Sequence, residues 1–110
     1  YLPNGTMDSS FNSVGYALTG FGSGASEASC LAIQPDQKII AGGRYYNGTD
    51  YDVALVRYLS NGKLDSTFSG DGKLTTNVYQ FSSITSDDFI ISIKVLSGNK
   101  ILATGYSSPN

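Results

Sequence analysis

The densest gathering of groups able to hold a ligand lies between residues 45 and 52. Tyr45, Tyr46, Asn47, Asp50, Tyr51 and Asp52 fall within eight positions. Flat aromatic faces beside amide and carboxylate groups suit a sugar or a polar protein surface. The competing use is purely local: Asn47-Gly48-Thr49-Asp50 is also turn chemistry, in which Asn and Asp bond their own backbone. Asp50 and Asp52, with a second acidic pair at Asp87-Asp88, are the oxygen donors that calcium prefers. No Asp-x-Asp-x-Asp-Gly loop accompanies them, so turn capping is the expected use, calcium is the alternative, and no cofactor is expected. Glu27 is the single glutamate, within Gly24-Ala25-Ser26-Glu27-Ala28, which resembles a loop. Glycoside hydrolysis needs two carboxyl groups across a pocket, and nothing in the sequence pairs another with Glu27. Cys30 sits in an apolar run without a nearby cation to lower its pKa, the setting of a small buried hydrophobe.

Composition narrows the field. The 110 residues carry Lys+Arg 7 against Asp+Glu 9, no His and no Trp. Clustered cations for phosphate are missing, which excludes a basic nucleic-acid binder, and imidazole catalysis or ligation is impossible. No run of about 18 apolar residues is present, so membrane insertion by a helix is not expected. Thirteen Tyr and Phe with 15% charged residues argue against disorder. One cysteine leaves no intrachain disulfide.

These groups are positioned by a duplicated scaffold. Tyr1-Leu2-Pro3-Asn4-Gly5-Thr6-Met7-Asp8-Ser9-Ser10-Phe11 recurs as Tyr58-Leu59-Ser60-Asn61-Gly62-Lys63-Leu64-Asp65-Ser66-Thr67-Phe68, an offset of 57. Lys38-Ile39-Ile40-Ala41-Gly42-Gly43 returns as Lys100-Ile101-Leu102-Ala103-Thr104-Gly105, an offset of 62. The second copy therefore holds about five extra residues near positions 79–88. The chain divides into repeat 1 at 1–57 and repeat 2 at 58–110.

Each copy predicts short strands, not helices. Period-two alternation marks 28–33 and 91–95, return strands follow at 38–45 and 100–106, and weaker first strands lie at 16–20 and 73–78. Residues 52–58 are apolar on both faces, as a doubly covered strand requires. Gln34-Pro35-Asp36-Gln37 and Leu96-Ser97-Gly98-Asn99 supply the turns. Small residues at 41–43 and 103–105 suit either close packing of sheets or bulges. The expected fold is all-β, two tandem four-stranded antiparallel blades of the β-propeller type, the second lacking its last strand. Asp8 and Asp65 are expected to accept backbone N–H bonds in the loops entering the first strands.

The pattern Tyr-x-x-Asn-Gly-x-x-Asp-x-x-Phe, then Gln-Pro-Asp-x-Lys-Ile, then Asp-x-Ala-Leu-x-Arg-Tyr resembles the delta-sixty repeat of large bacterial secreted or surface proteins. The resemblance implies a propeller-like fold and an extracellular or cell-surface setting, and no catalytic residues. Repeat 2 departs from it at the 96–99 turn and in the lengthened 81–89 segment. In that setting Asn4 and Asn47 fit an Asn-x-Thr glycosylation pattern, and Ser66 lies in a candidate O-glycosylation motif. Seven strands where two blades need eight imply a piece of a longer repetitive protein or a subunit completed by neighbours. The expected function is a non-enzymatic assembly module whose partners are copies of itself or adjacent repeats. Carbohydrate or protein binding in surface adhesion, with glycans as partners, is the alternative. A glycosidase-like enzyme is the third.

Overall fold

The computed structural model describes residues 1–78 and 85–110. It is all-β, with strands β1 (Ser26–Ile33), β2 (Ile39–Tyr46), β3 (Tyr51–Tyr58), β4 (Lys73–Thr76), β5 (Ser86–Val95) and β6 (Ile101–Pro109). Strands β1-β2-β3-β4 form one antiparallel sheet in that order; β5 and β6 form a second. A single 3-10 turn at Ser97–Asn99 joins β5 to β6. No helix among the described residues is long and apolar enough to cross a membrane. The insertion expected near 79–88 falls largely outside the described residues.

The duplication is visible atom by atom. In the hairpin β1–β2 the register slips between Ala28 and Cys30; in β5–β6 it slips between Ile90 and Ser92, each residue displaced by 62. The Gln34 amide donates to Lys38 O at 2.8 Å, and the Leu96 amide to Lys100 O at 2.8 Å. Gln37 and Asn99 close the two turns with φ of 68° and 59°. Thus two different turn sequences reach one geometry, because both place a left-handed residue before the return strand.

The glycine run at 41–43 turns out to serve both purposes open to it. A Cβ on Gly42 would stand 2.6 Å from Ile93 Cδ1, so its absence lets the second sheet approach. A Cβ on Gly43 would stand 1.9 Å from Glu27 O, across the bulge. The core lies between the sheets at Ile40, Leu55 and Ile90, with Val53, Ile93 and Leu74 around it.

Strand β3 is buried at three successive positions, Ala54, Leu55 and Val56. Its Leu55 side meets the second sheet. Ala54, Val56 and Tyr58 face a cleft of about 170 Å³ shared with Ala17, Leu18 and Phe21. The first sheet is therefore covered on both faces, as the apolar sequence of β3 requires.

Two expectations need correcting. Residues 16–20 form no strand, although their counterpart β4 does; the described residues therefore hold six strands, not seven. The difference is pairing: β4 is bonded to Val53–Val56 of β3, whereas residues 16–20 have no strand partner among the described residues. Glu27 lies within β1, not in a loop. Strand β4 also shows that the four-stranded sheet spans the repeat boundary, taking three strands from repeat 1 and its fourth from repeat 2.

Candidate functional site

Consecutive residues of a strand face opposite ways, and this divides the expected ligand loop. Tyr45 turns to one face of the sheet, its ring 5.7 Å from that of Phe21. Tyr46 turns to the other and meets Tyr51, its cross-strand partner, at 5.2 Å. Asp52 stands opposite Tyr45 in the register, while Asn47 and Asp50 lie in the turn between the two strands.

Their polar atoms are largely engaged. Asn47 Oδ1 accepts from the amides of Thr49 at 2.9 Å and Asp50 at 3.2 Å. Its Nδ2 donates to Asp50 Oδ1 at 2.6 Å and Asp52 Oδ2 at 2.9 Å. Asp50 in turn accepts from the Ser86 amide, and Asp87 from the Tyr51 amide. Asp88, fully buried, accepts from the Val78 amide and the Ser86 hydroxyl. Asp50 and Asp87 thus tie the β2–β3 connection to the start of β5, Asp88 ties Val78 to the same strand, and Asp52 is engaged by Asn47 alone among the described residues. Asp52 Oδ1 is buried with no hydrogen-bond partner among the described residues. No group of three or more His, Cys, Asp or Glu among those residues is placed to hold a metal ion.

Arg44 is the residue that sequence reasoning passed over. Its guanidinium lies 4.4 Å from the Tyr51 ring centroid and 4.6 Å from that of Phe89, so it links the sheets through two aromatic faces. Glu27 accepts from its Nε and Nη2 at 3.0 and 2.8 Å, which leaves this carboxylate in an ion pair. Residues 44 and 89 are far apart in sequence, and no local signal joins them.

The second polar centre is built on the repeated loop. Asp65, 3% exposed, accepts from Arg57 Nε at 2.8 Å and pairs with Lys38 Nζ at 3.1 Å. Its Oδ1 takes the Thr67 hydroxyl and amide, at 2.6 and 3.1 Å. Arg57 also donates to Thr67 Oγ1 and lies over the Phe68 ring. The Thr67 hydroxyl first, and then Lys38, the Thr67 amide and Arg57, hold the Asp65 carboxyl well below the usual carboxylate range, against the opposing effect of burial.

The first loop has the same construction. Ser10 donates its hydroxyl and amide to Asp8 Oδ1 at 2.6 and 3.0 Å, and these lower the Asp8 pKa. Both aspartates thus accept backbone N–H bonds as expected. Of the modification candidates, Asn4 and Ser66 are exposed. The Asn47 amide is committed to Asp50 and Asp52.

Residues 34–68 match a family described as "Domain of unknown function (DUF5122) beta-propeller". That segment is thus similar to a β-propeller-type repeat family. It contains the Gln34–Lys38 turn, β2, β3 and the start of the Asp65 loop. Comparisons with curated proteins and with solved structures give no match.

Proposed function

We propose that the chain is a non-enzymatic assembly module of an extracellular repetitive protein, of the delta-sixty kind, completed by strands of neighbouring repeats or chains. The observation that carries this reading is the contrast between β2 and β6. They hold the same place in their hairpins, yet Ile40 is 0% exposed while its counterpart Leu102 is 46% exposed. Strand β2 is flanked by β3; the outer edge of β6 has no partner among the described residues.

The dimensions support the same reading. The accessible surface is 6832 Å², against about 5,800 Å² for a compact monomer of this mass. The excess, about 1,000 Å², is comparable to one partner's share of a standard interface. The radius of gyration is 15.0 Å, where about 13 Å is usual for this length. An apolar cavity of about 380 Å³ opens beside β6, floored by Val53, Leu55 and Thr76. An unpaired strand edge above an apolar floor is a template for strand addition.

Sedimentation velocity across a hundredfold concentration range, followed by electron microscopy, tests the proposal. Rings, filaments or discrete oligomers are the expected result. A single monomeric species throughout would overturn it.

A further inference from the structure

We propose that Asn47 is a site of spontaneous deamidation, at which the Gly48 backbone nitrogen displaces the side-chain amide and water leaves aspartate or isoaspartate. Asparagine followed by glycine is the pair most open to this reaction, because glycine has no side chain to shield the attacking nitrogen or restrict its approach. The chain has three such pairs, Asn4-Gly5, Asn47-Gly48 and Asn61-Gly62. In each, Oδ1 accepts from the amide two residues on, at 3.1, 2.9 and 3.1 Å. Two of them are even the same tripeptide, Asn4-Gly5-Thr6 and Asn47-Gly48-Thr49. What differs is the nitrogen that must attack.

Gly5 N donates to Leu2 O and Gly62 N to Leu59 O, each at 2.9 Å. A nitrogen held this way must break its bond before it can lose its proton and turn toward Cγ. Gly62 is also buried, against the Phe11 ring. The Gly48 amide donates no hydrogen bond among the described residues, and both Asn47 and Gly48 are exposed. Asn47 Oδ1 accepts from two main-chain amides, Thr49 and Asp50, at 2.9 and 3.2 Å. These donors aim at the oxygen on which negative charge develops during attack; Asn4 and Asn61 each have one such amide.

In the reaction, the Gly48 nitrogen gives its proton to solvent base and bonds to Cγ. The Cγ–Nδ2 bond breaks, and ammonia leaves with a proton from water. A second water opens the resulting succinimide at either carbonyl, so one carboxyl replaces one amide and nothing is oxidised. The departing Nδ2 is the donor to Asp50 Oδ1 at 2.6 Å and Asp52 Oδ2 at 2.9 Å. Its loss turns two attractive contacts into oppositions of like charge, with carboxylates at 47, 50 and 52. Asp50 also accepts from the Ser86 amide of β5. A change at an exposed turn thereby loosens the tie between the two sheets.

Trypsin separates the three sites, because Asn4, Asn47 and Asn61 fall in the peptides Tyr1–Lys38, Tyr45–Arg57 and Tyr58–Lys63. The unmodified chain is aged at neutral pH, digested at intervals and read by mass spectrometry, with isoaspartate resolved from aspartate by chromatography. Asn47 is expected to convert at least about tenfold faster than Asn4 or Asn61, and in urea the three rates should converge to within about threefold. Hydrogen exchange at the Ser86 amide should quicken as Asn47 converts. Equal rates in the folded chain, a lead taken by Asn4 or Asn61, an Asn47 that converts only in urea, or a lead that urea does not abolish would each overturn the assignment. Ser86 exchange unchanged after full conversion would overturn its reach to the second sheet.

Discussion

Gly43 and Gly105 stand 62 residues apart at one position of two bulged hairpins, each facing a backbone carbonyl, Glu27 O and Phe89 O. A methyl group on either would fall inside the contact distance of main-chain atoms that have no rotamer to change. Gly43→Ala should therefore lower stability by at least about 2–3 kcal/mol, measured by urea unfolding. An effect within about 0.5 kcal/mol, the ordinary range for surface changes, would contradict the bulge geometry.

Gly42 differs because what it meets is the end of a side chain, Ile93 Cδ1. Gly42→Ala is expected to cost about 1–3 kcal/mol. Ile93→Val removes that methyl group and alone costs about 0.5–1.5 kcal/mol. The double variant should be more stable than the sum of the single losses implies, and additive behaviour in the cycle would argue that the sheets do not close through this contact.

Ile40 and Leu102 form a natural control pair. Ile40→Ala should cost about 2–5 kcal/mol, as for other fully buried aliphatic side chains. Leu102→Ala should cost less than about 1 kcal/mol in dilute protein but weaken self-association, read by sedimentation. Equal losses of stability would show that β6 is already covered.

Arg44 and Glu27 separate packing from charge. Arg44→Ala removes two aromatic contacts and should cost about 1–2 kcal/mol. Glu27→Gln breaks an exposed ion pair and should cost no more than about 1 kcal/mol. Thermal unfolding of both variants decides between them; a larger loss for Glu27→Gln would make the ion pair the link between sheets.

Asp65 sets an acid limit. Its folded carboxyl releases the proton more readily than the unfolded one, so its contribution is complete above the unfolded value of about 3.9 and declines as pH falls below it. Between about pH 5 and 7 stability should be flat in this respect. Asp65→Asn should melt lower at neutral pH, leaving Arg57 and Lys38 without their carboxylate, and should show a shallower loss on acidification. An unchanged acid limb would place the controlling group elsewhere.

Much of this architecture could be read from residue order. Strand β3 announces itself by an unbroken apolar run, and the hairpins by alternation and by turns at Gln34-Pro35-Asp36-Gln37 and Leu96-Ser97-Gly98-Asn99. The strand expected at 16–20 did not form because extended structure depends on a neighbour, and the pattern of a segment does not say whether one is present. Period two already separates Tyr45 from Tyr46, so the division of the ligand loop was implicit in its spacing. Arg44 between Tyr51 and Phe89 was not, since it arises from the approach of two sheets, which Gly42 permits and no local motif encodes.

The join between repeats has a mechanical meaning. Because β4 belongs to repeat 2 but is bonded along β3 of repeat 1, tension on the two ends reaches the intervening loop only after that ladder yields. The ladder is antiparallel, with Val53 opposite Thr76 and Val56 opposite Lys73, so the two ends that continue into the chain lie side by side. A pull on them opens the ladder bond by bond from the Val53–Thr76 end and reaches the loop at 59–72 last. Each repeat boundary is thereby a zipper that yields in steps, and the loop carrying Asp65 is the part it shields longest.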